Sequence, residues 1–489
     1  VVGEIGIKIG DNNITVKGRN LFANFFLQTN ASGNRDQHHN KPHCNRCNGN
    51  FYNWRRNTTF IVLCSYNSPG DKKFEIHYSF MTITFFKNTI LLALLVCFSC
   101  GSQTKDKNDN PPQEVLVQVQ DENYFSPEIM VGAAQVFEYI PALRGKNVGV
   151  IANQTSMVGS QHLVDLLLER NISVKKVFAP EHGFRGKADA GEVVKDGVDT
   201  KTGLPIISLY GKFKKPTKQQ LNGLDILVFD IQDVGARFYT YISSLHFVME
   251  GCAEAGIPLI ILDRPNPNGH YIDGPILEME HKSFVGMHPV PVVHGMTVGE
   301  YAQMINGEGW LTKKVKCDIT VVKAKGYTHK TEYSLPVKPS PNLPNDQAIN
   351  LYPSLCFFEG TFVSAGRGTE MQFQIFGAPS LASERYPFQF TPQANEGAKH
   401  PKFKGEGCFG KDLRATPKLD KLNLEWLIGA YVANGKNKDF FNPFFTKLAG
   451  TKKLQEQIEK GYTFREIRKT WLDGLASYDK MRQEYLLYE

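Results

Sequence analysis

Short apolar runs followed at once by polar residues recur through the middle of the chain. Val148 to Ala152 leads into Asn153-Gln154-Thr155, Val174 to Phe178 into Glu181-His182, Ile226 to Phe229 into Asp230 and Asp233, and Leu259 to Leu262 into Asp263-Arg264. Continuous aliphatic runs of this length are the mark of strands buried on both faces, as in a parallel sheet. A further strand is expected at Pro205 to Tyr210. Leucines and a valine at helical spacing from His162 to Arg170, and the stretch Tyr239 to Ala255 ending near Gly256, supply crossover helices. The predicted fold class is therefore α/β, a mostly parallel sheet covered on both faces. Residues just beyond the carboxyl ends of parallel strands converge on one crevice, so residues 146–268 are expected to hold a site rich in carboxylates.

The pattern changes further on. Thr297 with Glu300 three residues later forms a capping box that starts a helix through Met304-Ile305. Asp318 to Val322 reads as a strand, and Pro339, Pro341 and Pro344 fix an irregular loop. Leu419 to Gly429, Lys453 to Lys460 and Phe464 to Leu475 have helical patterns, so this half is read as a smaller α+β domain. The expected division is 120–285 for the parallel-sheet domain and 286–489 for the second.

The front of the chain reads differently. Residues 1–80 carry scattered Asn, Arg and His with no sustained period, and are read as a spurious upstream extension of the reading frame. Met81 opens a stretch with Lys87, an apolar run from Thr89 to Phe98, and then Ser99-Cys100-Gly101-Ser102. That is the layout of a secretory signal, too short to span a membrane as a mature helix. A small residue before a cysteine marks the lipoprotein type, in which Cys100 would be acylated as the first mature residue; Cys97 and Phe98 are less typical of it, and an ordinary export signal is the alternative. Residues 101–119 then form a linker, polar and ending its first part at Pro111-Pro112. The expected location is outside the cytoplasm, periplasmic and anchored to a membrane.

This boundary alters the meaning of the charge. Residues 1–100 hold 11 Lys or Arg against 5 Asp or Glu, which is +6 of the formal +7 and leaves about +1 for the rest. The basic balance is thus no argument for a nucleic-acid partner, and none is expected. His38, His39, His43, Cys44 and Cys47 could ligate zinc, but one Cys-x-x-Cys pair without a second is weak. Cys252, Cys317, Cys356 and Cys408 lie too far apart in sequence for metal spacing and are read as buried free thiols.

Several long motifs stand in fixed order: Asn153-Gln154-Thr155, Ala179-Pro180-Glu181-His182-Gly183-Phe184-Arg185-Gly186, Ser208-Leu209-Tyr210-Gly211, Phe229-Asp230-Ile231-Gln232-Asp233-Val234-Gly235-Ala236-Arg237-Phe238-Tyr239-Thr240 and Asp263-Arg264-Pro265-Asn266-Pro267. They continue through Gly274-Pro275, Pro289-Val290-Pro291, His294-Gly295-Met296-Thr297, Pro341-Asn342-Leu343-Pro344, Phe358-Glu359-Gly360-Thr361 and Gly366-Arg367-Gly368-Thr369. In these the chain resembles the exo-beta-N-acetylmuramidase family, formerly a domain-of-unknown-function family, from about residue 130 onward. The resemblance implies release of N-acetylmuramic acid from the non-reducing ends of peptidoglycan fragments in cell-wall turnover. It also implies a Rossmann-like first domain, a smaller second domain, and a site in the cleft between them.

Glycoside hydrolysis needs a proton donor and a second group that activates water or stabilises the developing cation. Glu181 is the candidate donor, directly after a strand, with Pro180 stiffening the chain before it and Gly183 permitting a tight turn; the alternative is a helix cap or a pair with Arg185. His182 stands beside it. Asp230 and Asp233 are the candidate companions, with Asp230 capping a helix and Asp233 pairing with Arg237 as the bland reading. Glu370 is a contender from the second domain. Arg185, Arg237, Arg264 and Arg367 are candidates for the lactyl carboxylate, since a guanidinium fork matches it. Asn153, Tyr210, Asp263 and His294 complete the expected substrate-binding set. His182 and His294 with an aspartate could hold a metal, but lack tight ligand spacing, and no metal is expected. Gly183, Gly186, Gly191 and Gly211 form no dinucleotide fingerprint, so no cofactor is expected. Tyr210, Phe238, Tyr239, Tyr241, Phe357, Phe358 and Phe373 could wall a sugar site or pack a core. A different class of function with the same fold is a muropeptide-binding lipoprotein that does not cleave.

Overall fold

In the computed structural model of the chain, the described residues are 129–185, 192, 195–211 and 213–489, with four short strands nearer the start. Those strands pair as two antiparallel hairpins, Gly6–Gly10 with Asn13–Lys17 and Tyr52–Arg56 with Thr59–Leu63. The residues of the signal, Cys100, the linker, the His38–Cys47 group and residues 186–191 lie outside the described residues.

Seven strands form the central sheet: β1 (Asn147–Ala152), β2 (Ser173–Ala179), β3 (Gly197–Val198), β4 (Pro205–Ser208), β5 (Ile226–Asp230), β6 (Leu259–Leu262) and β7 (Ile319–Val322), in the order β7-β6-β5-β1-β2-β4-β3. All neighbours pair in parallel except the edge strand β3. The chain steps outward from β1 to β2 and β4, returns to the centre, and steps the other way through β5, β6 and β7. The reversal lies between β1 and β5, where ligands bind in open parallel sheets. β7, expected in the second half, therefore completes the first sheet, with Leu259 opposite Ile319.

Strand side chains alternate between two cores, as a period of two requires. Ile151, Phe178, Leu227, Phe229, Leu259 and Ile261 face one core; Val150, Val177, Val228 and Ile260 face the other. The second core is covered by α1 (Val136–Leu143) and α2 (Leu163–Glu169). The first is covered by α3 (Tyr241–Ala255) and α4 (Val298–Gly307). Gly256, at φ 67°, ends α3 in the left-handed conformation, and its N–H bonds Cys252 O. At α4 both arms of the Thr297–Glu300 capping box are formed.

Beyond β7 the chain builds a smaller antiparallel sheet of β8 (Ile375–Ala378), β9 (Phe388–Phe390) and β10 (Cys408–Asp412), with β10 in the middle. Helices α5 (Asp346–Leu355), α6 (Glu425–Ala433), α7 (Phe444–Ala449), α8 (Lys453–Glu459), α9 (Phe464–Lys469) and α10 (Leu472–Arg482) complete this half. The helix expected from Leu419 starts only at Glu425, because Leu419 N–H bonds Asn350 Oδ1 and Leu422 N–H bonds Asp273 Oδ2. Donors taken by distant side chains are lost to a helix. The pattern Phe464 to Leu475 is two helices, broken at Thr470-Trp471. The four cysteines of the described residues are free and buried, as expected.

Candidate active site

At the end of β2 the chain turns sharply. His182 (φ 69°) and Gly183 (φ 78°) are both left-handed, and Gly183 N–H bonds Pro180 O at 3.0 Å. A histidine tolerates this region at some strain. The turn holds Glu181 almost out of solvent, 9% exposed, and its Oε2 accepts the Thr240 hydroxyl at 2.6 Å. Thr240 comes from the loop that enters α3. The parallel register sets Ser208 opposite Ala179, and Leu209 N–H bonds Ala179 O at 2.8 Å, so Tyr210 emerges beside Glu181. Burial, then the charge and hydrogen bond of Glu181, push the Tyr210 phenol above its ordinary range.

Asn153, at the end of β1, donates to Tyr241 Oη at 3.0 Å, and Tyr241 Oη lies 3.5 Å from Glu181 O. Asn153 Oδ1 in turn accepts from Thr155 N and Oγ1, at 2.9 and 2.6 Å. The Tyr239 and Tyr241 rings meet edge to face at 4.8 Å, and Tyr239 Oη donates to Pro339 O at 2.8 Å. Pro339 belongs to the proline-rich loop of the second half, which thereby docks on the same strand ends. Burial first, and the charges of Glu181 and Asp233 as well, raise both phenols, so the two tyrosines stand within electrostatic reach of both carboxylates.

Asp233 lies on the irregular loop after β5. Its Oδ2 accepts Gly235 N–H at 2.7 Å and faces His294 Nε2 at 3.6 Å, while Oδ1 is buried with no hydrogen-bond partner. Gly235 holds φ 76°, and a Cβ there would meet the Asn266 amide at 2.3 Å. His294 Nδ1 accepts Met296 N–H at 3.3 Å, which places the ring proton on Nε2, toward Asp233.

The remaining candidates are held elsewhere. Asp230 receives Arg264 Nε and Nη2 at 2.6 and 2.9 Å, both residues fully buried, so it neither caps a helix nor orients Arg237. Burial disfavours the Arg264 charge, but Asp230 outweighs it and holds the guanidinium above its ordinary value. Arg237, 0% exposed, donates to four carbonyls, Pro275, Val290, Leu448 and Ala449, rather than to Asp233. Asp263 accepts from Arg264 N, Gly299 N, Thr297 Oγ1 and Tyr488 Oη, and its burial pushes it up to about 6. Arg185 forks onto Asp199 at 3.2 and 2.8 Å and lies over the Phe184 ring. Arg367, half-buried, reaches Glu359 Oε1 at 3.3 Å and Gly397 O at 2.9 Å; Gly397 O also accepts Asn342 Nδ2. Glu370 is exposed on the following loop. Phe238, Phe357, Phe358 and Phe373 are core residues.

The structure thus brings Glu181, Asn153 and Tyr210 into one network and Asp233 and His294 into another, while Asp230, Arg237, Asp263 and Arg264 brace the framework. Thr240 is absent from the expected site residues, although it ends the longest motif and its hydroxyl directly precedes α3, the local signal that marks it.

The N-terminal model of the exo-beta-N-acetylmuramidase NamZ family matches residues 148–347, and the C-terminal model matches 350–488. The peptidoglycan beta-N-acetylmuramidase NamZ of Bacillus subtilis strain 168 is 39% identical over 384 residues, 74% of this chain and 92% of that protein. Two crystal structures of DUF1343 family proteins from Bacteroides fragilis are similar throughout their length. One is 46% identical with a TM-score of 0.69, the other 29% identical with a TM-score of 0.64, and each comparison covers 74% of this chain and 99% of the other. Both halves of the pattern are matched in order, and the chain belongs to the exo-beta-N-acetylmuramidase NamZ family.

Proposed function

We propose that the chain is a glycoside hydrolase that releases N-acetylmuramic acid from the non-reducing ends of peptidoglycan fragments during cell-wall turnover. The observation that carries the chemistry is the nearly buried Glu181 carboxyl at the carboxyl edge of the sheet, fixed by Thr240 and Tyr210. Glu181 protonates the leaving glycosidic oxygen. A threonine hydroxyl both donates and accepts, so Thr240 holds that carboxyl in either protonation state.

Asp233 is the second group. Gly235 N–H holds one oxygen, with His294 Nε2 3.6 Å from it, and the other has no protein partner, which suits it to a water or to the developing positive charge. His182 orients the Glu181 turn. Arg367, on the loop tied to Asn342 through Gly397, is the residue proposed to meet the lactyl carboxylate. Arg185, Asn153, Tyr210, His294 and Glu370 line or support the sugar site in this reading. Peptidoglycan lies outside the cytoplasm, which accords with residues 81–100 acting as an export signal and Cys100 as the lipid-bearing residue. The tether then runs over 101–119, and the two halves meet near residue 285 with β7 returning to the first sheet.

Glu181→Gln tests the assignment. It should abolish turnover with folding and much of the sugar binding intact, and substantial residual kcat would exclude the donor role. The anomeric form of the first released sugar, read by proton NMR, distinguishes inversion from retention. Label from a fatty-acid analogue that survives Cys100→Ser would remove the anchor.

A further inference from the structure

A groove of about 390 Å³ lies between the segment after β4 and α3, and no role above uses it. Its walls include Phe213, Lys214 and Lys218 from the segment after β4, and Phe247 and Glu254 from α3. Both walls lead back to the candidate site. Tyr210, whose hydroxyl bonds Glu181, stands three residues before Phe213. Tyr241, which touches the Glu181 carbonyl, begins the helix that carries Phe247.

A line of rings joins the two places. The Tyr210 ring is 5.9 Å from Phe284, and Phe284 lies 6.2 Å from Phe247 at an interplanar angle of 21°. The Lys214 ammonium is held 4.7 Å over the Phe284 ring. Lys215 is neutralised at the floor by Glu250 and Glu254, at 2.9 and 2.8 Å. Among the described residues neither Lys214 nor Lys218 has a carboxylate within 4 Å, and Phe213 is 48% exposed. Scattered exposed apolar residues are ordinary. Here an exposed ring, a ring stack and uncompensated ammonium groups gather in one groove, linked to Tyr210 through Phe284.

We propose that this groove is a leaving-side subsite for the glycan chain: sugar rings beyond the first leaving sugar stack on Phe213 and Phe247, and a carboxylate carried by a later muramic residue meets Lys214. The proposal rests on the muramidase reading above. Beyond the terminal sugar itself, an exo-acting enzyme has substrate to hold only on the leaving side, so length is recognised there. Stacked aromatic faces supply most of the affinity, and the half-buried Lys214 ammonium adds charge selection.

The test uses the full chain with three substrates: an aryl N-acetylmuraminide, the muramic–glucosamine disaccharide, and the peptide-free tetrasaccharide of the same repeat. The wild type should show kcat/KM about tenfold higher on the tetrasaccharide than on the disaccharide, the size expected of one or two such contacts. Phe247→Ala and Lys214→Ala should each reduce that advantage and leave the aryl and disaccharide rates unchanged. Those unchanged rates also establish that the variants fold. An advantage that persists in both variants, no advantage in the wild type, or an equal fall on all three substrates would overturn the subsite. If the wild type hydrolyses none of the three, the muramidase reading fails. Calorimetric titration of the tetrasaccharide then tests the groove separately: weaker binding to Phe247→Ala supports it, and equal binding overturns it.

Discussion

Arg237→Met separates a framework arginine from one that reads substrate. The side chain is wholly buried, and burial pushes its guanidinium down to about 9, a displacement equivalent to about 5 kcal/mol of desolvation. Its four donated bonds satisfy carbonyls buried with it. They tie the segment after β5 to Pro275, Val290 and the end of α7, and Gly450 is close enough that a Cβ there would come within 2.8 Å of Nη2. Methionine fills similar volume but strands the buried carbonyls of Pro275, Leu448 and Ala449, while Val290 O keeps Leu277 N–H, so the variant should lose about 3–5 kcal/mol, as when one side of a buried charged network is removed. Against a total of about 5–15 kcal/mol for a folded domain this is a large fraction. Urea unfolding followed by fluorescence reads it as a lower midpoint with an unchanged slope. KM for muramic substrates, measured well below the unfolding transition, should be unaltered. A wild-type midpoint combined with a raised KM confined to muramic substrates would refute the framework role and restore Arg237 to the site.

Thr240→Val removes the 2.6 Å bond to Glu181, and a bond to a charged or proton-sharing carboxyl of about 1.5–3 kcal/mol predicts a 10- to 100-fold loss of kcat/KM; steady-state rates near wild type would contradict it. Asp230→Asn leaves Arg264 buried without its charge partner and should destabilise by about 3–5 kcal/mol, whereas Asp230→Leu combined with Arg264→Met should recover much of that in the same urea assay. Burial lowers His246 to about 4, so this imidazole stays neutral in the fold while the unfolded chain takes up a proton below about 6.5. Its contribution to stability is therefore present above about 6.5 and lost as pH falls toward 4, and His246→Asn should flatten that part of the stability–pH curve measured by urea midpoints.

The strands β1, β2, β5 and β6 were legible because buried parallel strands are continuous apolar runs, and the helix ends at Thr297 and Gly256 because their caps are local. Glu181 was placed by the same logic, as the first ionisable residue beyond a strand. Asp230 and Asp233 were not separable: the loop from 231 to 240 is irregular, and only the fold reveals that Arg264, 34 residues on, claims Asp230. Arg237 reads like Arg367 in sequence, yet its partners at Leu448 and Ala449 are more than two hundred residues away. The β8–β10 sheet is masked in the sequence because Gly377 and Gly410 sit opposite each other within it, and glycine weakens a strand pattern. A Cβ on Gly410 would come within 1.9 Å of Phe376 O, so the close strand approach itself requires the residue that hides it.

The central claim is that a carboxyl held at the end of β2 drives release of a terminal muramic acid. Chromatography of the purified protein incubated with the muramic–glucosamine disaccharide and with longer peptide-free strands tests it most directly. Free N-acetylmuramic acid should accumulate from the first time point, with strands shortening from the non-reducing end, and Glu181→Gln should release none. Internal fragments early in the reaction would contradict exo action, and tight binding with no sugar released would instead mark a protein that captures muropeptides without cleaving them.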